Sequence, residues 1–291
     1  MDNKKIGVIV ILIASLMWAL EPIFAKLAYN TSDYLQTSAI RAFVVTFVAA
    51  IYIVISNKSQ FKVTKNHIPK LIYIGIVGTV IADLLFLYSL TKIQVVNAIL
   101  IGHMQPIFII LISFFILKED RLTKYDYIGI LIMIIAGLLI TTKTLTNLSM
   151  LKLGTVGDLF VLLATIAWAT TAIVMRKYLK DVNAGVITFY RFSIASIVFI
   201  VYLQFTSSII LSNVYQFFVG VIVAVGTILY YEGLKRIKAA QVSALELSSP
   251  FFAVLLGFLV LGEIVTIMQL FGLFLLILGV YFLSKKEEDT N

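Results

Sequence analysis

Ten apolar runs of about 20 residues, joined by short loops, leave this chain few ways to fold. They cover roughly 6–28, 35–55, 70–91, 95–117, 124–142, 157–179, 185–205, 213–235, 239–261 and 266–284. An α-helix rises about 1.5 Å per residue, so about 20 apolar residues cross a hydrocarbon core about 30 Å thick. Inside lipid the backbone must satisfy its own hydrogen bonds, which favours helices over open strands. The runs predict an all-α membrane protein with ten transmembrane helices. Composition agrees: 61% of the 291 residues are hydrophobic and 13% charged, against about 45–50% apolar in soluble domains.

The positive charges report topology. With the N-terminus cytoplasmic, one side of the membrane carries 17 lysines and arginines and the other carries Lys26, Lys92, Lys143 and Lys152; the last two of the 23 are Arg41 and Arg191, inside spans. The excess marks the cytoplasmic side and places both termini there, in the cytoplasmic membrane. Lys4 and Lys5 precede an apolar stretch, but its length and the lack of a clean small-residue cleavage site argue for a retained helix over a signal peptide. Because the basic residues sit in loops between spans, the net charge of +8 does not indicate a nucleic-acid partner.

The chain is internally repeated. Its two tryptophans, Trp18 and Trp168, are 150 residues apart, as are Arg41 and Arg191. LTKIQVVNAILIGHMQP (90–106) aligns with LKRIKAAQVSALELSSP (234–250) at an offset of 144, which also pairs LKE (117–119) with LGE (261–263). Two five-helix halves are the economical reading: residues 1–142, a linker 143–156, a second repeat 157–284 and a cytoplasmic tail 285–291. Five is odd, so the second half enters from the opposite side. That is the inverted topology of secondary transporters, which places a substrate site near the midplane between the repeats.

With ten helices in two halves, a tryptophan in the first helix of each, and LVLGEIVTIMQLFGLFLLILGVYFL (259–283) at the end, the sequence resembles the EamA-type drug/metabolite transporters over nearly its whole length. The first half carries LKEDRLTKYDYIGILIMIIAGLLI (117–140), with Lys118 where the second half has Gly262. The resemblance implies movement of amino acids, amines or other small metabolites across the inner membrane.

Ionisable residues inside a span are costly and mark function by default. Counting helical rise from the outer end, Glu21 lies about 10 Å deep, Asp83 and His103 about 12 Å and Arg41 about 9 Å. Four groups from consecutive helices therefore share one level in the outer half. In the second half Arg191 matches Arg41, Thr171 stands for Glu21 and Thr227 for Asp83, with Glu246 and Glu232 nearer the inner surface. This predicts two chemically unequal half-sites. Pro22 leaves the carbonyl of Trp18 without its helical partner and is expected to kink the helix, and Trp18 and Glu21 share a face. An aromatic ring, a free carbonyl and a carboxylate together favour a cation. Glu21 reads equally as the structural partner of Arg41, and His103 as a packed histidine. Pro106 and Pro250 free the carbonyls of Gly102 and Glu246 as kinks or hinges; Tyr88, Tyr190 and Tyr231 are further lining candidates. Glu119 and Glu263 sit at helix ends and read as structural, and Gly272 and Gly279 as helix packing.

These residues predict a carrier for a small polar molecule, an amine or quaternary ammonium compound first and a zwitterionic amino acid second, with Glu21, Asp83 and His103 as proton-coupling candidates. Alternatives outside this class are a passive channel or a scaffold. An enzyme is not indicated: there is no HExxH, no GxSxG and no nucleotide-binding loop, there is no cysteine, and one of the two histidines, His67, lies in a lysine-rich loop. No cofactor, metal or catalytic residue is expected.

Overall fold

Residue size, more than polarity, sorts interior from exterior here. In the first helix the fully buried positions are Ile11, Ala14, Ser15, Ala19, Ala25 and Ala28, all but one of them alanine or serine, while the larger Ile9, Leu12 and Ile13 point outward. Lipid removes the driving force to bury large aliphatic groups, so small residues that let backbones approach hold the interior. The same sorting puts Phe205, Ile267, Phe251 and Phe258 on the outside.

The computed structural model describes residues 3–56, 61–112, 114–115, 124–152, 154–206, 209–236, 242, 245–246 and 248–284, and among these there is no strand. In chain order the helices are α1 (Asn3–Ala28), α2 (Tyr34–Ile55), α3 (Ile68–Ser89), α4 (Val95–Ile112), α5 (Lys124–Thr142), the short α6 (Leu145–Ser149), α7 (Val156–Tyr178), α8 (Ala184–Thr206), α9 (Val214–Leu234), α10 (Ser248–Leu261) and α11 (Ile267–Ser284). Seven of them are long and apolar enough to cross a membrane, namely α1 to α4 and α7 to α9; apolar stretches of α5, α10 and α11 are shorter. Glu119, the LKE stretch and the tail 285–291 lie outside the described residues.

Local chemistry fixes the helix starts. Asp33 caps α2 by accepting from the Gln36 amide at 2.7 Å. Thr155 with Asp158 and Asn213 with Gln216 form capping boxes at α7 and α9, each meeting amides that have no partner within the helix. Two helices are irregular where they approach the centre. Ile74–Asp83 within α3 is π-helical, a rare form often found at functional sites. Helix α4 is interrupted at His103–Met104, between Val95–Gly102 and Gln105–Ile112, just ahead of Pro106. Pro22 lies inside the continuous α1, and Pro250 falls in the first turn of α10.

The helix contacts have matched counterparts. Helix α1 packs along α9 as α7 packs along α3; α2 meets α9 as α8 meets α3; α1 meets α10 as α7 meets α4. The pairs α2–α8 and α5–α11 complete the pattern. Thr46 Oγ1 and Ser196 Oγ, 150 residues apart in sequence, lie 3.4 Å from each other where α2 crosses α8. Small residues bring α11 onto α5: a Cβ added at Gly279 would sit 3.2 Å from the Gly129 carbonyl and 2.3 Å from Met133 Cγ.

At one end of the bundle, buried Glu263 accepts from the amides of Val95 (2.9 Å) and Val96 (3.1 Å) and pairs with Lys26 Nζ (3.1 Å). It caps α4 from the far end of α10. Nearby, buried Asn97 donates to Asp158 and accepts from Gln269 Nε2 at 3.1 Å.

Candidate functional site

A cavity of about 250 Å³ lies between the helices and gathers side chains from α1, α2, α3, α4, α7, α8, α9, α10 and α11, with Val242 and Glu246 from the segment before α10. Of the residues singled out in the sequence, Trp18, Glu21, Arg41, Asp83, His103, Trp168, Thr171, Arg191, Tyr231 and Glu246 all line it. Two do not. Tyr88 stacks edge-on against Tyr34 and Phe160, and the Tyr190 hydroxyl donates to the Phe61 carbonyl at 2.7 Å.

The centre of the site is a chain of ion pairs. Glu21 Oε1 lies 3.0 Å from Arg41 Nη1, and Arg41 Nη2 donates to Asp83 Oδ2. From the other side, Arg191 Nη2 donates to Asp83 Oδ1 (3.2 Å) and Oδ2 (3.1 Å). Asp83 also accepts from Trp168 Nε1 at 2.7 Å. One carboxylate thus joins the two arginines and a tryptophan, which corrects the expectation of two half-sites at separate depths: Arg191 belongs to the same cluster as Arg41. Buried charges persist when they are paired and hydrogen-bonded, and four groups of two signs meet that condition here.

The π-helical stretch holds this cluster together. Arg191 Nε donates to Thr79 Oγ1 at 2.8 Å and its Nη2 to the Gly78 carbonyl at 3.2 Å. Gly78 leaves room for this, since a Cβ there would meet Thr171 Cγ2 at 3.3 Å and the Arg191 guanidinium at 3.6 Å. Both guanidiniums lie over the Phe192 ring, at 5.6 Å for Arg41 and 5.1 Å for Arg191. Tyr231 lines the same cavity as Arg191. Gly78, Thr79 and Phe192 were not picked out from the sequence; the place of Phe192 beside Arg191 was the one available signal.

The remaining wall is aromatic and less charged. Trp18 packs against Tyr230 with ring centroids 4.8 Å apart, and Trp168 against Phe86 at 5.3 Å. His103 Nδ1 donates to the Ile99 carbonyl at 2.8 Å, and the ring also reaches the backbone of Glu246. The Thr171 hydroxyl donates to the Trp168 carbonyl at 2.9 Å. Among the described residues no group of His, Cys, Asp or Glu has the arrangement of a metal site.

A membrane bundle enclosing a cavity of mixed aromatic and charged character has the make-up of a small-molecule carrier. The chain belongs to the EamA-like transporter family, whose model matches residues 5–142 and again 155–285. It is 28% identical over 278 residues to the uncharacterized transporter YyaM of Bacillus subtilis, covering 88% of this chain and 87% of that protein. An uncharacterized transporter of Synechocystis sp. is 28% identical over 75% of this chain, which spans 66% of that relative. The riboflavin transporter ImpX of Fusobacterium nucleatum is 25% identical, covering 72% of this chain and 73% of its own length. A solved crystal structure with 14% sequence identity matches 95% of both chains with a TM-score of 0.68, which shows the fold.

Proposed function

We propose that this protein is a secondary carrier that moves a small polar organic metabolite across the cytoplasmic membrane by alternating access. Ten spans form two inverted five-helix repeats, 1–142 and 157–284, with both termini cytoplasmic, and the repeats rock about the central cavity. Three observations support the repeat: the family model matches twice, helix contacts recur under exchange of the two sets, and Thr46 meets Ser196 at positions 150 apart. Inverted repeats give two mirror-related conformations a common geometry.

The observation that carries the cargo reading is the charge count of the cavity. Three carboxylates, Glu21, Asp83 and Glu246, face two guanidiniums, Arg41 and Arg191, beside the rings of Trp18, Tyr230 and Tyr231. A cavity with more carboxyls than guanidiniums and with aromatic faces suits an amine or quaternary ammonium compound. A zwitterionic amino acid is the second reading, favoured by Arg41 Nε, which has no acceptor among the described residues. Glu21, Asp83 and His103 are the candidates for exchanging protons with the transport cycle.

Reconstituted vesicles test this. Uptake of labelled ethanolamine or choline should saturate and should accelerate when unlabelled amine is preloaded on the far side. Flux that rises linearly with concentration and ignores preloading would indicate a channel; saturable exchange of amino acids but not amines would move the cargo to the zwitterion class.

A further inference from the structure

The charges of the cavity are unequally committed. Glu21 and Asp83 are held by Arg41 and Arg191, two acids against two bases, within 3.2 Å at each described contact. Glu246 stands apart: among the described residues its carboxyl has neither a cationic partner nor a hydrogen bond. It faces the same cavity from a different wall. Its position is fixed from both sides. The neighbouring Leu245 carbonyl accepts from Ser15 Oγ at 3.4 Å, and Ser15 lies one turn before Trp18 on the same face of α1. His103 of α4 reaches the Glu246 backbone. Trp18 and Tyr230 pack together and line this space. Ser249, one turn beyond Glu246, also lines it; this residue is fully buried and its Oγ has no partner among the described residues.

A carboxyl and a hydroxyl left without partners inside the protein are costly arrangements. A ligand that supplies a cation and a hydrogen-bonding group would satisfy both. We infer that Glu246 is the specificity-determining residue for cargo charge: its carboxylate, the rings of Trp18 and Tyr230 and the hydroxyl of Ser249 form a subsite for a small organic monocation bearing an N–H or hydroxyl group. Glu21 and Asp83 are then positioning residues, which hold the two arginines together and do not themselves meet the ammonium. This inference rests on the cationic cargo reading above and assigns it to one residue.

The test is equilibrium binding to the purified full-length protein with ethanolamine, tetramethylammonium and glycine as probes. Wild type should bind both ammonium ions in preference to glycine. Glu246→Gln should weaken both by about 10- to 100-fold, the worth of one charge-assisted contact. Its unliganded melting temperature should stay at or above that of wild type, since an unpartnered carboxyl has been replaced by a neutral amide of the same shape, and Glu246→Asp should restore most of the affinity. Ser249→Ala should weaken ethanolamine more than tetramethylammonium. Glu21→Gln should lower the unliganded melting temperature and leave the preference for ammonium over glycine in place. If wild type binds neither ammonium ion, the cationic cargo reading itself falls. If wild type binds them and Glu246→Gln binds them equally well while Glu21→Gln does not, the cargo reading stands and the assignment to Glu246 is overturned.

Discussion

Replacing Asp83 by asparagine removes one charge from the centre of the ion-pair chain while keeping the shape of the side chain. The aspartate accepts four described hydrogen bonds, one from Arg41, two from Arg191 and one from Trp168. Asparagine keeps a single acceptor oxygen, so at least two charge-assisted bonds are lost, each worth about 1.5–3 kcal/mol. Two buried guanidiniums would then share only Glu21. Breaking a buried pair by removing one partner costs about 3–5 kcal/mol, and the two estimates agree. The assay is denaturation of the detergent-solubilised protein followed by tryptophan fluorescence, which suits a chain whose two tryptophans both line the cavity. Asp83→Asn should destabilise by about 3–5 kcal/mol. In a double-mutant cycle with Arg191→Met, the pair should be coupled by at least about 1 kcal/mol, within the range found for residues in one network. A variant as stable as wild type, or strictly additive single effects, would show that Asp83 does not bind the two arginines into one unit.

Other sites give smaller and separable effects. Trp168→Phe keeps the ring against Phe86 but loses the bond to Asp83, so in the same denaturation assay it should cost about 1.5–3 kcal/mol more than Trp18→Phe, which instead should weaken amine binding. Glu263→Ala uncaps α4, and thermal unfolding should report a loss of about 1–2 kcal/mol, with little added by the partly exposed Lys26. Gly279→Ala presses a methyl group onto Met133 and the Gly129 carbonyl; overpacking of this kind costs about 1–3 kcal/mol, read as a lowered unfolding midpoint with amine affinity retained. Tyr190→Phe removes a hydroxyl that bonds outside the cavity, so binding curves for ethanolamine should overlay those of wild type.

The spans were the most legible part of the sequence because the bilayer imposes a length and a polarity on each of them. Where long helices are described, their ends fall within a few residues of the apolar runs. The pairing of Glu21 with Arg41 was also readable, since both depths follow from helical rise along neighbouring spans. The same arithmetic failed for Arg191. Depth along α8 says nothing of how a guanidinium extends sideways, nor of a π-helical stretch in α3 that presents Thr79, the Gly78 carbonyl and Asp83 to it. Apolar sequence around Gly75 and Gly78 carries no mark of π geometry. Tyr88 and Tyr190 illustrate a second limit: in a helix bounded by lipid, neighbours and a cavity, an aromatic residue suits all three surroundings, and sequence alone does not choose. The isolation of Glu246 became visible only when the partners of the other acids were known.

The grip of Glu263 on the start of α4 has a spectroscopic consequence. The amide protons of Val95 and Val96 belong to a helix N-terminus, where no carbonyl of the same helix receives them; their shielding comes from a carboxylate on a segment 167 or more residues away in sequence. Any motion that draws the end of α10 from α4 exposes both protons at once, together with the ammonium of Lys26. Deuterium exchange at these two adjacent amides is therefore a built-in clock for separation at this end of the bundle. It would keep time in an unlabelled, unmutated protein, with or without cargo.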